Sequence, residues 1–211
     1  DNPQKGLIPP IEFIPVFERN GFIVNIDFYV FEEVCKKIRE WMDEGQKVVP
    51  ISVNLSRMHF VNSNFIEKFK LIVDKYKIPT RLIELELTET AVLDNIEGLL
   101  DTMNNLKEKG FVISMDDFGT GYSSLNLLKE LPVDILKLDR AFFTEKDESN
   151  NEKIVISNVI KMAKELKMKV ISEGVETISQ VEFLKQIGCD MVQGYLFSKP
   201  MPVKEFEKIA F

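Results

Sequence analysis

The feature that most narrows the fold is a rhythm of short apolar runs and longer stretches with helical spacing. Strand-length runs fall at 48–53, 82–87, 111–115, 134–138, 169–172 and 190–192. Between them lie helical patterns. Phe65, Phe69, Ile72, Val73 and Tyr76 mark one, and Ile96, Leu99, Leu100, Met103 and Leu106, closed by Gly110, mark the next. A short helix carries Leu125, Leu127 and Leu128, and a long one comes after the charged loop 145–152 and runs through Leu166. Thr177-Ile178-Ser179-Gln180 has the form of a capping box, and 203–210 reads as a terminal helix. Ahead of this series, a short helix is expected over 10–20. An amphipathic helix is expected over 27–44, with Val30, Phe31, Val34, Cys35, Ile38, Trp41 and Met42 on its core face. Six strands interleaved with helices mean βα units and a parallel sheet, because parallel neighbours need a crossover between them.

An open doubly wound sheet and a TIM-like barrel both satisfy that alternation. The polar residues at the strand ends discriminate between them. Asn54 ends the first run, then Glu86 and Glu89, Asp116 and Asp117, Lys137 and Asp139, Glu173 and Glu176, and finally Gln193. A barrel gathers such ends on one face, where TIM-barrel sites lie. An open sheet strings them along an edge, with a crevice only at the switch point. Six consecutive polar ends favour the barrel, although six units and 211 residues fall short of the roughly 250 typical of eight.

Composition excludes several function classes. A net charge of −7 argues against a DNA or RNA footprint, and an acidic protein that binds phosphate needs a metal or local cations. No apolar run reaches the length of a membrane span and no secretory signal opens the chain, so a cytoplasmic protein is expected. Cys35 and Cys189 lack metal-ligand spacing and read as reduced, half-buried side chains. A single histidine, His59, leaves no basis for a histidine triad or a histidine-rich zinc site. It is expected to face solvent.

The chemistry concentrates where the strand 111–115 meets Asp116-Asp117-Phe118-Gly119-Thr120-Gly121. Neighbouring strand residues point to opposite faces, so both aspartates share a site only if the chain turns between or after them. Gly119 and Gly121 permit such a turn. The stretch is either a capped strand-to-helix loop or a metal site. Asn54, Glu86, Asp116 and Asp117 offer only oxygen donors, which suit Mg²⁺ or Mn²⁺. The two adjacent aspartates with Glu173 suffice for two ions a few ångströms apart, the arrangement used on phosphate esters. Lys137 lies among apolar neighbours and needs acid partners, since an unpaired buried charge is expensive. It either forms an ion pair with Asp116 or Glu86, or holds a phosphate oxygen or the attacking water. Plainer readings stand beside each residue: Asn54 as a helix cap, and Glu89, Glu173 and Glu176 as charges at helix starts. Ser124 stands where a dinucleotide fingerprint has its third glycine, which makes a Rossmann site a weak reading.

Taken in order, Ser52-Val53-Asn54-Leu55-Ser56, Glu84-Leu85-Glu86-Leu87-Thr88-Glu89-Thr90 and Asp116-Asp117-Phe118-Gly119-Thr120-Gly121-Tyr122-Ser123-Ser124-Leu125 resemble the EAL domain, the cyclic-di-GMP phosphodiesterase family. Leu136-Lys137-Leu138-Asp139, Glu173-Gly174-Val175-Glu176-Thr177 and Gln193-Gly194-Tyr195 continue the match across the chain. The resemblance implies an α/β fold, a TIM-like barrel. It implies hydrolysis of one phosphodiester bond of cyclic-di-GMP to the linear dinucleotide with two Mg²⁺ or Mn²⁺ ions. By position it implies Asn54, Glu86, Asp116 and Asp117 as metal ligands, and Lys137 and Glu173 as the catalytic pair that positions and activates water. It further implies Glu89 as the anchor of the loop 118–124, which couples the site to a homodimer contact, and Glu176, Gln193 and Asp139 as residues near the substrate.

The Glu-x-Leu-x-Arg segment that names the family does not occur in these 211 residues. Residues 2–10 resemble the stretch that lies immediately downstream of it in the family. The expectation is therefore a single EAL-type domain over 1–211 that is N-terminally truncated, its first strands missing and its activity impaired. The parent is then expected to be an active enzyme with a fused upstream sensory or cyclase domain and, in some arrangements, a membrane anchor. The alternatives are a non-catalytic cyclic-di-GMP receptor that signals through its dimer, and a Mg²⁺-dependent barrel enzyme with another substrate.

Overall fold

A computed structural model of the chain describes residues 3–4, 6–61, 64–89, 96–119, 125–143 and 150–211. Its six strands are β1 Ile51–Asn54, β2 Ile83–Thr88, β3 Val112–Phe118, β4 Ile135–Leu138, β5 Lys169–Ser172 and β6 Met191–Val192. They follow one another across the sheet in chain order. A doubly wound sheet reverses its strand order at a switch point. This one has no reversal, and consecutive parallel strands joined by helices are the pattern of a TIM-like α/β fold. The pairs β3–β4, β4–β5 and β5–β6 are parallel. The chain clusters into two compact units, Asp1–Leu85 with Glu97–Phe111, and Glu86–Ile96 with Val112–Phe211.

The first unit holds the helices α1 Pro10–Arg19, α2 Ile23–Asp43 and α3 Phe65–Tyr76, together with most of α4 Ile96–Glu108. The core face of α2 is Ile23, Asp27, Phe31, Cys35, Ile38 and Trp41, a stripe one turn longer than expected and rotated so that Val30 is exposed. Phe31 stacks on Phe69 of α3 with ring centroids 4.0 Å apart, and Phe28 meets Phe69 edge-on. The first strand starts at Ile51 rather than at 48 because Pro50 has no N–H to give a ladder.

His59 corrects an expectation: it is buried, not solvent-facing. A 3₁₀ turn, Arg57–Val61, folds it against Phe28, Phe65 and Phe69. Its Nε2 lies 2.9 Å from Asp27 Oδ2, which also accepts the Ser56 N–H at 3.0 Å. Asp27 is thus a buried acceptor on the side of α2 rather than the residue that opens it. Cys35 is fully buried, and burial pushes its thiol up to about 12, which leaves it unionised and inert.

In the second unit, α5 Leu125–Glu130, α6 Asn150–Glu165, α7 Ile178–Gln186 and α8 Val203–Ala210 come after β3, β4, β5 and β6 in turn. Strand β4 is buried along its whole length, as a central parallel strand covered on both faces should be. The core around it includes Ile113, Leu136, Leu138, Ile160, Ala163 and Val170. The capping box at Thr177 is present in both directions, with the Thr177 hydroxyl accepting from Gln180 N and the Gln180 side chain accepting from Thr177 N.

Candidate active site

The second unit carries most of the strand-end residues. Lys137 projects from β4 and is 4% exposed. Its ammonium donates to Glu173 Oε1 at 3.0 Å and pairs with Glu86 Oε1. Glu86 lies in β2, and Glu173 lies just past β5, where its N–H donates to Leu138 O. Burial by itself would push the lysine pKa down. The facing Glu86 carboxylate outweighs it, with help from Glu173, and the net direction is upward, so Lys137 stays charged.

Asp116 and Asp117 reach this cluster by a device the sequence only half reveals. The β3–β4 register slips by one residue between Met115 and Phe118, a bulge in the ladder. Asp117 itself is left-handed, with φ 55°. Aspartate visits that region more readily than most residues, so the turn falls between the two acids rather than at the glycines alone. Both aspartates are half-buried, where strict alternation would send them to opposite faces. Burial raises Asp116 to about 6, reinforced by the Glu173, Glu86 and Asp117 charges and opposed by Lys137. Asp117 is also shifted up, by burial first and then by Asp139, against the pull of Lys137.

Four carboxylates therefore surround one ammonium, and the excess negative charge calls for a cation. The Asp116 Oδ1 atom is buried without a hydrogen-bond partner. Among the described residues no three Asp, Glu, His or Cys side chains form a ready-made cage. A hard cation such as Mg²⁺ takes oxygen donors of the kind these carboxylates offer. The donor set fits such an ion.

The remaining predicted positions are spread more widely. Glu89 is buried just after β2, and its Oε2 accepts the Gly119 N–H at 3.1 Å. The rest of the loop it was expected to anchor, 120–124, lies outside the described residues. Asp139 caps the turn after β4 by accepting from Ala141 N at 2.7 Å. Glu176 and Gln193 are exposed. Gln193 uses its backbone, accepting from Val175 N at 3.0 Å and donating to Ser172 O at 2.8 Å. Asn54 ends β1 in the first unit and is exposed.

Fold and site together define the class: a TIM-like α/β chain with an acidic, lysine-centred site at the C-terminal ends of its strands. Residues 1–200 match the family described as the EAL domain, and the chain belongs to that family. It is 37% identical over 205 residues to the bifunctional diguanylate cyclase/cyclic di-GMP phosphodiesterase MucR of Pseudomonas aeruginosa, covering 97% of this chain and 30% of that protein. It is 33% identical over 207 residues to the cyclic di-GMP phosphodiesterase PdeR of Escherichia coli, covering 98% of this chain and 31% of that protein. The chain thus spans under a third of the length of these relatives. Among solved structures, the MucR phosphodiesterase in complex with c-di-GMP superposes with a TM-score of 0.90 at 36% identity, covering 97% of this chain and 83% of that one. The FimX EAL domain of P. aeruginosa, at 21% identity and a TM-score of 0.86, shows the fold alone, covering 94% of this chain and 79% of that one.

Proposed function

We propose that this chain belongs to a phosphodiesterase that opens one phosphodiester bond of cyclic-di-GMP to the linear dinucleotide, with Mg²⁺ or Mn²⁺ as cofactor. The observation that carries the reading is Lys137 held between Glu86 and Glu173 beside the half-buried Asp116 and Asp117. The names of MucR and PdeR, and the c-di-GMP complex of the MucR phosphodiesterase, support the substrate. EAL phosphodiesterases are metal-dependent in general. In this reading Glu86, Asp116 and Asp117, with Asn54 from β1, hold the ions. Two divalent ions, when bound, neutralise the phosphate and stabilise the attacking and leaving oxygens. Glu173 accepts a proton from the attacking water, and Lys137 holds that water or a phosphate oxygen in line. Asp139, Glu176 and Gln193 lie toward the substrate. Lys137 also offsets part of the repulsion among these acids.

The bifunctional name of MucR supports a parent with further domains, and the reading keeps residues 1–211 as a single EAL-type domain in a homodimer. Conversion of cyclic-di-GMP to the linear dinucleotide, measured with Mg²⁺ for this chain and for one extended upstream, tests the proposal. Cleavage by either, lost in Glu173→Gln, supports it. Binding without cleavage by both favours the receptor reading. No binding and no cleavage overturns both.

A further inference from the structure

After Lys137 the chain makes a short 3₁₀ turn, Arg140–Phe142, that has no assigned part in the proposed cleavage. Its surroundings are unusual. Gly119 has φ +99° and Gly174 has φ +65°, conformations that side chains rarely adopt. At Gly119 a Cβ would fall on the Phe142 ring, and at Gly174 it would fall on Arg140 Cβ, with Arg140 Cα 3.4 Å away. The turn therefore presses on the backbone of two different strand exits at their two bare positions. One is two residues past Asp117, and the other is next to Glu173. Backbone bonds tie the same points together: Asp139 N–H donates to Phe118 O at 3.4 Å, and Glu173 N–H donates to Leu138 O at 2.9 Å. Asp139 stiffens the turn through its cap on Ala141. On its other side Gly119 is held by Glu89, so its peptide is gripped between a carboxylate and a ring.

We propose that Arg140–Phe142 is a spacer that sets the separation of the Asp116–Asp117 and Glu173 exits across Lys137, with Phe142 and Arg140 as positioning residues. The inference rests on the phosphodiesterase reading for its consequence, but its geometry is independent of it. An exposed arginine and a half-buried phenylalanine immediately after a site lysine otherwise have little to do there. The carboxylates flanking Lys137 come from three separate strands, and a displacement of about 1 Å in such a site costs up to a hundredfold in rate.

The test uses this chain with Phe142→Ala, Phe142→Leu and Arg140→Gly, in Mn²⁺. Hydrogen exchange is read for peptides ending at Gly119 and spanning 170–176, beside kcat and KM for cyclic-di-GMP and the melting temperature. Phe142→Ala is expected to speed exchange at the Gly119 segment about tenfold or more, because local opening is freed there. It is also expected to lower kcat about tenfold with a smaller change in KM. Phe142→Leu restores most of both, and Arg140→Gly acts on the 170–176 segment. A fall in melting temperature with unchanged exchange at these segments and unchanged kcat per folded molecule overturns the spacer. If the unsubstituted chain does not cleave cyclic-di-GMP, exchange alone decides: no local acceleration in Phe142→Ala or in Arg140→Gly overturns the proposal.

Discussion

Lys137 has little freedom to be anything else. With Glu86 nearly as buried as itself and Glu173 half-buried, its charge balances a group of acids that would otherwise repel one another. Removing one partner of a buried pair leaves the other charge uncompensated, so Lys137→Met should cost about 3–5 kcal/mol at neutral pH, measured by urea unfolding. The loss should shrink as the pH falls and the flanking carboxylates protonate. A variant as stable as the parent at pH 7 would contradict the pairing. His59 is different, a histidine used for packing and for one hydrogen bond. His59→Phe keeps the ring in the aromatic cluster but takes a donor from Asp27, and should cost about 1–3 kcal/mol with little effect on activity.

At the level of elements, strand exits matter more than strand interiors. The edge pair β5–β6 is only two residues long on the β6 side and is fastened by Asp190, whose Oδ2 accepts the Val170 N–H at 2.7 Å and whose Oδ1 meets Lys164. Partial burial would raise the Asp190 pKa, but Lys164 and the Val170 N–H outweigh it and the net direction is down. A folded pKa below the unfolded value gives stability that is present above the ordinary carboxylate range and lost as pH falls through the folded pKa. Asp190→Ala should therefore be less stable than the parent at pH 7, with the difference shrinking in acid and vanishing only below the lowered folded pKa. Thermal melts across pH check this, and a difference that grows in acid would refute it. Helix α8 shows the opposite situation: Val203, Phe206 and Ile209, and Phe211 just past its end, are all exposed.

For the molecule as a whole, charge is the deciding property. The chain carries a net charge of −7 and presents an acidic site to a proposed ligand that is itself anionic. In EDTA, cyclic-di-GMP binding should strengthen as salt is added, because screening weakens repulsion between like charges. With Mg²⁺ present the salt dependence should flatten or reverse. Titration calorimetry at low and high salt reads the sign, and affinity that falls with salt in EDTA would contradict the charge argument. Among the described residues no helix is long and apolar enough to cross a membrane.

Much of this was legible from residue order. Alternating runs of Val, Ile and Leu dictated six strands and a parallel sheet, since only crossovers can join them. Consecutive polar strand ends pointed to the site. The isolated lysine in β4 announced acid partners, because a buried charge must be compensated. What the linear pattern left open depends on contacts between residues far apart in the chain. Period-two alternation put Asp116 and Asp117 on opposite faces, and only the bulge and the left-handed Asp117 bring both toward Lys137. His59 looked like an isolated polar residue until a turn folded it onto Asp27, 32 positions away. Arg140 and Phe142 carried no signal at all, because their significance lies in two glycines on other strand exits. Periodicity encodes which side of an element is buried. Which side chains then meet is set by register, bulges and close approach, and these emerge only when the elements pack.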